Sequence, residues 1–440
     1  MFERIKRFPI VRFIYDLPGV RRVYHFLLAF FGVLIYGHPD KKIFVIGVTG
    51  TKGKTTTIEL LNSILEDAGK KTALLSSLRV KIGERSEKNL LGNTMPGRFY
   101  IRRFLKRAVA LGCKYALIEA TSQGVSMYRH RFISWNTGVL TNVAPEHIED
   151  HGSFEKYREA KLDFLKYVLG RGGKVFINGD DGNSKFFIDA LQGRKVAAYS
   201  KSDERILPLI PVPHPVRGAV ETHPQFVLSE FNKDNIAAAA AVAMNLGIDE
   251  KTIAEALRDF NGVPGRMEFV RRGPFAAVID YAHTPDSLEA VYRHLRSTVN
   301  SQQLTVNKLI CVLGAAGGGR DKWKRPVMGK IAAEYCNEII LTNEDPYDEN
   351  PEEILDQISS GFSQIPNSKF LIPNSYYRIL DRKAAIEKAI GLARDGDVVV
   401  ATGKGSEDSI RVARGKKIPW NEKKAVEEIL AVKQKGPEPV

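Results

Sequence analysis

A glycine-bearing turn with a lysine and a threonine lies near the start of the chain. Apolar residues predict a buried strand at 42–46, and a tight loop follows at 47–53. Helical spacing of apolar residues begins at Thr55 and stops at Gly69. Such a loop directs backbone N–H groups, the positive end of the helix and the ammonium of Lys54 toward one point, while a threonine hydroxyl can hold Mg²⁺. The sequence therefore predicts a site for a nucleoside triphosphate.

The loop differs from the general P-loop pattern at one position. Val48 stands where that pattern has its first glycine. A glycine-rich turn that merely exposes a lysine is the structural alternative. The candidate ATP-binding residues of the loop are Gly50, Thr51, Lys52, Gly53, Lys54, Thr55 and Thr56.

Polar residues follow two further predicted strands. Glu119 comes after the strand at 115–118, and Asn142 follows the strand at 137–140. Ligands of parallel sheets lie at the carboxyl ends of the strands, so both side chains are expected beside the loop. A carboxylate there can be a helix cap, but magnesium prefers oxygen ligands next to phosphates. We interpret Glu119 as a Mg²⁺ ligand.

A lysine lies on the apolar face of the next predicted helix, at 153–169. Lys161 shares that face with Tyr157, Phe164 and Val168. An ammonium in this position either extends to water or loses its proton, because burial lowers its pKa. A neutral amine can take up CO₂ and become a metal-binding carbamate, and we interpret Lys161 in this way. A histidine precedes the helix, at His147.

The composition is that of a globular protein of two or three domains, with 440 residues and 43% hydrophobic content. The formal charge of +14 favours anionic partners such as nucleotides, phosphorylated substrates or a membrane surface. Nucleic acid is not expected, since no binding module accompanies the charge. Cys113, Cys311 and Cys336 are widely spaced, which argues for a reducing, cytoplasmic compartment and against a disulfide scaffold or a zinc site.

Residues 1–42 form a basic and apolar segment. Eight lysines and arginines stand against three acidic residues, and the apolar run at 23–36 is too short to span a bilayer. A helix packed on the main body and a helix on the membrane surface are both open interpretations. We hypothesise peripheral membrane contact through residues 1–40.

Strands and helices alternate along the rest of the chain, which predicts an α/β protein with mostly parallel sheets. The turn at 262–266 is the best domain boundary. We therefore expect a P-loop-type central domain at 43–263 and a smaller, Rossmann-like α/β domain at 264–440. In the second domain, strands are predicted at 276–279, 310–313, 339–342 and 398–402. The polar loops after these four strands should meet at one edge of the sheet.

These motifs together resemble the Mur ligase family, most closely the branch that adds the third residue of the muramoyl peptide. The matching stretches of the central domain are 49–57, 93–96, 119–122, 141–152 and 160–161. Those of the C-terminal domain are 265–268, 280–285, 319–322, 381–382 and 403–405.

The resemblance implies a role for each matching residue. Catalysis would use Lys54, Glu119, His147 and Lys161. Two Mg²⁺ ions would be held by Thr55, Glu119, His147 and carbamoylated Lys161. ATP would also contact Asn235, Arg266, Asp280 and His283. The muramoyl-peptide acceptor would contact Thr94, Thr121, Ser122 and Arg129, and the incoming amino acid would contact Arg320, Asp345, Gly403 and Glu407.

The implied reaction is ATP-dependent amide formation in peptidoglycan precursor synthesis. A carboxylate does not react with an amine in water, because hydroxide is a poor leaving group. Attack of the carboxylate on the γ-phosphate gives an acyl phosphate, from which the amine displaces phosphate. Closure of the two domains would assemble the site and exclude water.

The chain departs from the family in three places. Family members normally carry a domain for the uridine nucleotide before the loop, whereas residues 1–42 precede it here, so the acceptor is either lipid-linked or held differently. Relatives that add diaminopimelate have Asp-Asn-Pro-Arg where residues 344–347 are Glu-Asp-Pro-Tyr. Ser406 replaces a histidine of the family's Gly-Lys-Gly-His-Glu loop. Lysine or another amino acid is therefore open beside diaminopimelate.

Two alternatives accompany this interpretation. Folylpolyglutamate synthase and cyanophycin-type ligases share the core, but the threonines at 55–57 and the loop at 403–407 favour the muramoyl branch. The second alternative is a nonenzymatic, membrane-associated ATP-binding subunit of an amidating complex. Glu119, His147 and Lys161 favour an active enzyme.

Overall fold

The structure is a computed structural model that describes residues 19–91, 93–146, 148–193, 195–211, 229–271, 274–297, 307–365 and 376–435. The prediction for His147 and those for residues 1–18 fall outside these ranges. The chain divides into two units, one of Met1–Pro211 with Phe231–Phe260 and one of Val212–Glu230 with Asn261–Val440.

The first unit is built on a mostly parallel sheet. Its strands are β1 (Phe44–Thr49), β2 (Thr72–Leu75), β3 (Arg79–Ile82), β4 (Arg85–Lys88), β5 (Tyr115–Glu119), β6 (Thr137–Leu140), β7 (Lys174–Asn178) and β8 (Val196–Tyr199). Among the described residues they form an eight-stranded sheet in the order β4-β3-β2-β5-β1-β6-β7-β8. The pairs β2–β3 and β3–β4 are antiparallel, and the remaining pairs are parallel.

Helices cover this sheet and connect its strands. They are α1 (Val20–Tyr36), α2 (Lys54–Asp67), α3 (Arg98–Ala110), α4 (Ser122–Ser126), α5 (Ile148–His151), α6 (Phe154–Gly170), α7 (Ser184–Leu191), α8 (Glu230–Asn245) and α9 (Glu250–Asp259). Helix α2 begins one residue before the predicted start, and Gly69 follows its end with φ 70°. In the part of the chain that the structure covers, no helix is long and apolar enough to cross a bilayer.

Gly47 in strand β1 allows helix α6 to approach the loop that follows this strand. A Cβ atom on Gly47 would lie 2.5 Å from Phe164 Cζ and 2.8 Å from the Trp135 ring. The Trp135 and Phe164 rings pack edge to face, with centroids 5.1 Å apart. Because α6 lies directly on β1, the side chain of Lys161, one turn before Phe164, is held at the end of that strand.

The second unit has its own parallel sheet. Its strands are β9 (Glu268–Arg271), β10 (Ala276–Asp280), β11 (Leu309–Leu313), β12 (Glu338–Leu341), β13 (Tyr377–Arg378) and β14 (Val398–Thr402), followed by a hairpin of β15 (Ser409–Val412) and β16 (Lys416–Pro419). Within the described ranges the sheet order is β13-β12-β11-β14-β10-β9, and β9 alone is antiparallel to its neighbour.

The helices of the second unit are α10 (Pro285–Ser297), α11 (Lys324–Tyr335), α12 (Pro351–Ser359), α13 (Arg382–Leu392) and α14 (Glu422–Lys435). Helix α13 begins at a cap, because the Asp381 side chain accepts a hydrogen bond from the Ala384 backbone N–H. The prediction of an α/β protein with mostly parallel sheets is confirmed for both units.

The cysteines differ from the expectation. Cys311 and Cys336 form a disulfide, whereas the sequence analysis argued against one from their spacing. The two residues meet because β11 and β12 are neighbouring strands, so that 25 residues of chain return to the same place. Cys113 is a buried free thiol, and burial raises its pKa.

Candidate active site

The conformation of the loop between β1 and α2 requires glycine at two positions. Gly50 and Gly53 have φ values of 150° and 82°. A Cβ atom on Gly50 would lie 1.9 Å from Thr141 Oγ1, and one on Gly53 would lie 2.1 Å from Asn235 Oδ1. Any larger residue would therefore displace the loop. Asn235, predicted on the adenine side, packs against the loop itself.

The end of β6 holds the backbone of the same loop. Thr51 N donates to Asn142 O at 2.9 Å, and Lys52 N donates to Asn142 Oδ1 at 2.8 Å. The Thr141 hydroxyl donates to Lys52 O at 2.6 Å. Asn142 therefore lies beside the loop, where the strand-end argument predicted it, and it fixes the loop's conformation.

Two lysines donate to one carbonyl oxygen of the loop. Lys54 Nζ lies 2.9 Å from Gly50 O and 2.8 Å from Thr51 O. Lys161 Nζ lies 2.9 Å from the same Gly50 O. Both amines are thus brought to the N-terminal end of α2, where the backbone favours anions.

Lys161 is in the environment that the sequence predicted. Its side chain is 1% exposed, and its ammonium lies 4.3 Å from the centre of the Tyr157 ring. Burial lowers the pKa of Lys161 well below its ordinary value, and the charge of Lys54 lowers it further. A neutral amine at this position is the form that reacts with CO₂.

A chain of contacts connects the loop to α4. Thr51 Oγ1 and the Tyr157 hydroxyl are 3.0 Å apart, and burial raises the pKa of Tyr157. The Tyr157 and His151 rings pack with centroids 5.3 Å apart, and His151 Nε2 lies 3.1 Å from Ser122 Oγ. Ser122, predicted to bind the acceptor, is therefore connected to Thr51, predicted to bind ATP.

Three oxygen-bearing side chains meet beside the first turn of α2. Thr55 Oγ1 donates to Glu119 Oε1 at 2.8 Å and lies 2.9 Å from Ser77 Oγ. Ser77 N also donates to Glu119 Oε1, at 2.8 Å. These hard oxygen donors beside the predicted phosphate-binding loop fit Mg²⁺.

Lys161, another predicted ligand, is not in this oxygen cluster. His147 lies outside the described residues. Lys161 bonds to Gly50 O rather than to the carboxylate of Glu119. Among the residues that the structure places, no group of three His, Cys, Asp or Glu side chains forms a metal site, so the fit to Mg²⁺ depends on the hydroxyls.

The four predicted acceptor residues lie around α4. The Thr121 side chain caps this helix by accepting from Gly124 N at 3.1 Å. A Cβ atom on Gly124 would lie 2.5 Å from Met95 Sδ, and the Arg129 guanidinium donates to Met95 O. Met95, which follows Thr94, is thus held between Arg129 and α4.

In the second unit, a turn and a strand end bring the predicted nucleotide residues together. Asp280, at the end of β10, accepts hydrogen bonds from Met267 N and Ala282 N, both at 2.7 Å. The Arg266 guanidinium lies 4.1 Å from the centre of the Tyr281 ring. His283 Nδ1 lies 2.7 Å from Tyr281 O. The carboxylate of Asp280 therefore organises the turn through backbone contacts.

The predicted amino-acid residues surround a buried lysine. Lys404 Nζ donates to Asp345 Oδ1 at 2.8 Å and also to Glu407 Oε2. Burial opposes the charge of Lys404, but Glu407 and Asp345 outweigh it and raise its pKa. Arg320 follows a glycine loop whose Gly317 N donates to Asp345 O at 2.8 Å.

Glu344 is a buried acid that the sequence analysis did not single out as a site residue. Burial raises the pKa of Glu344 to about 7, against the nearby charges of Lys324, Lys404 and Arg382. A Cβ atom on Gly403 would lie 2.6 Å from Glu344 Oε2. The glycine of the predicted site is therefore needed to accommodate this carboxyl group.

A second buried pair supports these loops. Arg382 donates to both carboxylate oxygens of Glu422, at 2.9 and 2.5 Å. The same guanidinium donates to Asn343 O at 3.0 Å and to Thr402 O at 2.6 Å. Helix α14 is thereby tied to the ends of β12 and β14.

Sequence reasoning missed Ser77 and the supporting role of Tyr157. Ser77 follows β2, so the rule that ligands lie at the carboxyl ends of parallel strands could have identified it. Tyr157 was assigned only to an apolar helix face, and no signal in the sequence pairs its hydroxyl with Thr51.

Known protein families match most of the chain. Residues 48–243 match the Mur ligase middle domain, and residues 265–405 match the Mur ligase glutamate ligase domain. A relative from Aquifex aeolicus (strain VF5), named UDP-N-acetylmuramoyl-L-alanyl-D-glutamate–2,6-diaminopimelate ligase, is 37% identical over 404 residues, covering 90% of this chain and 79% of the relative. The chain belongs to the Mur ligase family.

Two solved structures resemble this Mur ligase. One, titled as a UDP-N-acetylmuramoyl-L-alanyl-D-glutamate–2,6-diaminopimelate ligase, is 27% identical with a TM-score of 0.58, covering 95% of this chain and 84% of that chain. The other is folylpolyglutamate synthase from Mycobacterium tuberculosis, 14% identical with a TM-score of 0.62, covering 100% of both chains. The second likeness shows the fold alone. The predicted family and enzyme class, a ligase, are confirmed by these relatives.

Proposed function

We propose that this Mur ligase joins an amino acid to the carboxylate of a muramoyl-peptide acceptor, with conversion of ATP to ADP and phosphate. The single observation that carries the proposal is the convergence of Lys54, Lys161 and the Thr55–Glu119 pair on one phosphate loop. Cations and hard oxygen donors in this arrangement suit the transfer of a phosphoryl group between anions.

The chain's own residues would act in sequence. The loop N–H groups and Lys54 would bind the phosphates and stabilise the charge that develops on the transferred group. The acceptor residues Thr94 and Arg129 would hold the acceptor with its carboxylate toward the γ-phosphate. The carboxylate attacks the γ-phosphorus, the bond to the β-phosphate oxygen breaks, and ADP leaves an acyl phosphate behind. The amine then attacks the acyl carbon, phosphate departs, and loss of the amine's proton gives the amide. Mg²⁺, when bound, would screen the phosphate charges and make the phosphorus more electrophilic.

Mg²⁺ would be held by Thr55, Ser77 and Glu119, whose oxygens already converge. Two ions, with His147 and carbamoylated Lys161 as additional ligands, are part of the proposal. The burial of Lys161 and its lowered pKa support the carbamate, because CO₂ adds only to the neutral amine.

The second unit would bind the amino acid through Lys404, Asp345 and Glu407, and two amino acids are candidates. Diaminopimelate is the substrate in the name of the Aquifex relative. Tyr347 argues against diaminopimelate and leaves lysine or another amino acid open, because the arginine of diaminopimelate-adding relatives is absent there. The Arg411 guanidinium, however, lies 5.9 Å from the centre of the Tyr347 ring. A second carboxylate could therefore still meet a cation beside this loop.

The test is a two-substrate screen with purified protein. Phosphate release is measured with ATP, a UDP-linked muramoyl dipeptide acceptor and either lysine or diaminopimelate, omitting each component in turn. The proposal expects release only when acceptor and amino acid are both present. ATP turnover that is indifferent to both would refute it. If diaminopimelate is the substrate, Arg411→Met should raise the KM for diaminopimelate and leave the KM for ATP unchanged.

The location is also part of the proposal. The enzyme would work in the cytoplasm, in peripheral contact with the membrane through residues 1–40.

A further inference from the structure

One side of helix α1 is fixed to the first unit. His25, Ala29 and Gly32 recur at helical spacing and are buried against α3. A Cβ atom on Gly32 would lie 3.2 Å from Arg102 Cδ, so the two helices are in close contact. The Arg102 guanidinium donates to Gly37 O at 2.9 Å, just after the end of α1. The orientation of α1 on this unit is therefore set by packing and hydrogen bonding.

The opposite side of α1 is apolar and exposed. Its large side chains there are Val20, Val23, Phe26, Leu27, Phe30, Phe31, Leu34 and Ile35, with exposures from 38% to 64%. From Val23 to Tyr36 the helix carries no Asp, Glu, Lys or Arg. A contiguous apolar surface on a charged protein marks a place of interaction.

Basic residues lie next to this surface. Helix α3, against which α1 packs, contains no acidic residue and exposes Arg103, Lys106 and Arg107. Lys41 and Lys42 are exposed directly after α1. The nearby acid Asp40 is buried, with Oδ1 3.5 Å from Arg102 Nη1 and Oδ2 accepting from Ser134 N. The exposed charges of α3, the helix on which α1 packs, and of residues 41–42 are therefore positive.

The preceding part of the sequence has the same character. Residues 1–18 include Arg4, Lys6, Arg7 and Arg12 against Glu3 and Asp16. An apolar helix face bordered by cations matches the two layers of an anionic membrane surface, the acyl boundary and the phosphate headgroups. A water-soluble partner would need to present the same combination over a helix of 17 residues.

We infer that α1 lies in the surface of an anionic membrane, with its exposed face at the acyl boundary and the basic side chains of α3 at the headgroups. This contact is separate from ligase chemistry, although its location bears on the proposed acceptor. The rings of Phe26 and Phe30 pack on Phe132 at centroid distances of 5.1 and 6.1 Å. Phe132 is three residues after Arg129, so the membrane would lie beside a residue proposed to bind the acceptor.

The experiment is flotation of the full-length protein with vesicles. Vesicles of phosphatidylcholine alone are compared with vesicles that also contain phosphatidylglycerol. The protein should float with the anionic vesicles and be released by salt, since headgroup attraction is screened. Absence of flotation with both kinds of vesicle would overturn the inference.

Matched variants identify the surface. Phe31→Ser, Leu34→Ser and Ile35→Ser together should reduce the bound fraction at least about tenfold, because three exposed apolar side chains leave the acyl boundary. The control combines Leu90→Ser, Ile418→Ser and Val432→Ser, which are exposed to 75%, 51% and 71% elsewhere on the chain. It should float as the wild type does. Equal flotation of the α1 variant and the control would overturn the assignment to α1.

A charge variant tests the headgroup contact. Arg103→Gln, Lys106→Gln and Arg107→Gln together should lower the partition coefficient on the order of 100-fold, at about 1 kcal/mol for each cation. Retained flotation of both α1 and α3 variants, with loss on deletion of residues 1–18, would assign the contact to that segment instead. Conversion of a dimer to a monomer by the α1 variant, without a change in flotation, would assign the face to a second copy. Phosphate release and circular dichroism show whether each variant is folded.

Discussion

The two units use buried lysines in different ways. In the first unit, Lys54 and Lys161 both donate to the backbone oxygen of Gly50. In the second unit, Lys404 is paired with the carboxylates of Asp345 and Glu407. The pKa of Lys161 is lowered by burial, whereas that of Lys404 is raised because its two carboxylate partners outweigh burial.

The difference indicates what each region can accept. A carbonyl oxygen carries no net charge, so an ammonium that bonds to it can still attract an anion. The neutral form of the same amine can react with CO₂. A lysine already neutralised by two acids instead fixes the positions of those acids, so that the zwitterionic amino acid of the proposed reaction would meet an ordered pattern of charge. The first arrangement suits phosphate chemistry and the second suits recognition.

Substitution of Lys54 should give the largest effect and is the strongest test of this comparison. Lys54→Ala should lower the rate of acceptor-dependent phosphate release roughly 10²- to 10³-fold, because one cationic donor to the transferred phosphoryl group is lost. The exposed Lys70→Ala is the matched control and should leave the rate unchanged. Amide formation at the wild-type rate by the Lys54 variant would remove the basis of the proposed function.

Lys161 tests whether the second amine of the first unit is chemically modified. Lys161→Met keeps the buried packing but cannot form a carbamate, and it should lower the rate roughly 100-fold. In protein equilibrated with ¹³C-labelled bicarbonate, the wild type should give a carbamate signal by NMR that the variant lacks. Acidification should remove the signal as the amine becomes protonated. A wild-type spectrum without the signal would exclude the carbamate.

The recognition role of the second unit is tested at Glu407. Glu407→Gln removes one of the two acids at Lys404 and should raise the KM for the amino acid about tenfold. The KM for ATP should stay constant, and the neighbouring, exposed Asp408→Asn should change neither value. A rise in the KM for ATP instead would show that the two units are not specialised as described.

Substitution of Glu344 should have the smallest effect, and it should change the pH dependence of stability rather than the reaction rate. Burial raises the pKa of Glu344 from 4.5 to about 7, so the folded unit retains a proton that the unfolded chain releases between these values. Its contribution to stability therefore falls as pH rises from about 4.5 to about 7. Glu344→Gln should remove this dependence and raise the unfolding midpoint at pH 8 by about a few degrees relative to the wild type. If the unfolding midpoints of the wild type and of Glu344→Gln change with pH in the same way, the raised pKa of Glu344 is contradicted.

Much of the fold was predictable because local patterns agree with the final structure. The strand at 137–140 and the strand at 398–402 match the structure as predicted, since buried parallel strands are short apolar runs between polar loops. The alanine-rich run at 236–246 predicts a helix. Helix α8 begins six residues earlier, at Glu230, because its first turns are polar and carry no apolar period.

The candidate site was predictable only where a motif or a strand end marked it. The contacts of the loop with Asn142 follow from the strand-end rule, whereas the sharing of Gly50 O by two lysines does not. It depends on α6 lying on Gly47, a packing detail that no spacing encodes. The Cys311–Cys336 pair was missed for a similar reason, because the order of strands in the sheet determines which cysteines meet.

The Arg382–Glu422 contact makes the end of the chain structurally important. Loss of Glu422 alone would leave the guanidinium inside the unit with no carboxylate, at a cost of about 3–5 kcal/mol. Truncation before Glu422 would also remove Val426, Ile429 and Leu430 from the core. The same guanidinium holds the carbonyl oxygens of Asn343 and Thr402, so the loss would loosen the loops that carry Asp345 and Gly403. A shortened protein should therefore lose amino-acid recognition before it loses its strands, and purification tags belong beyond Lys435.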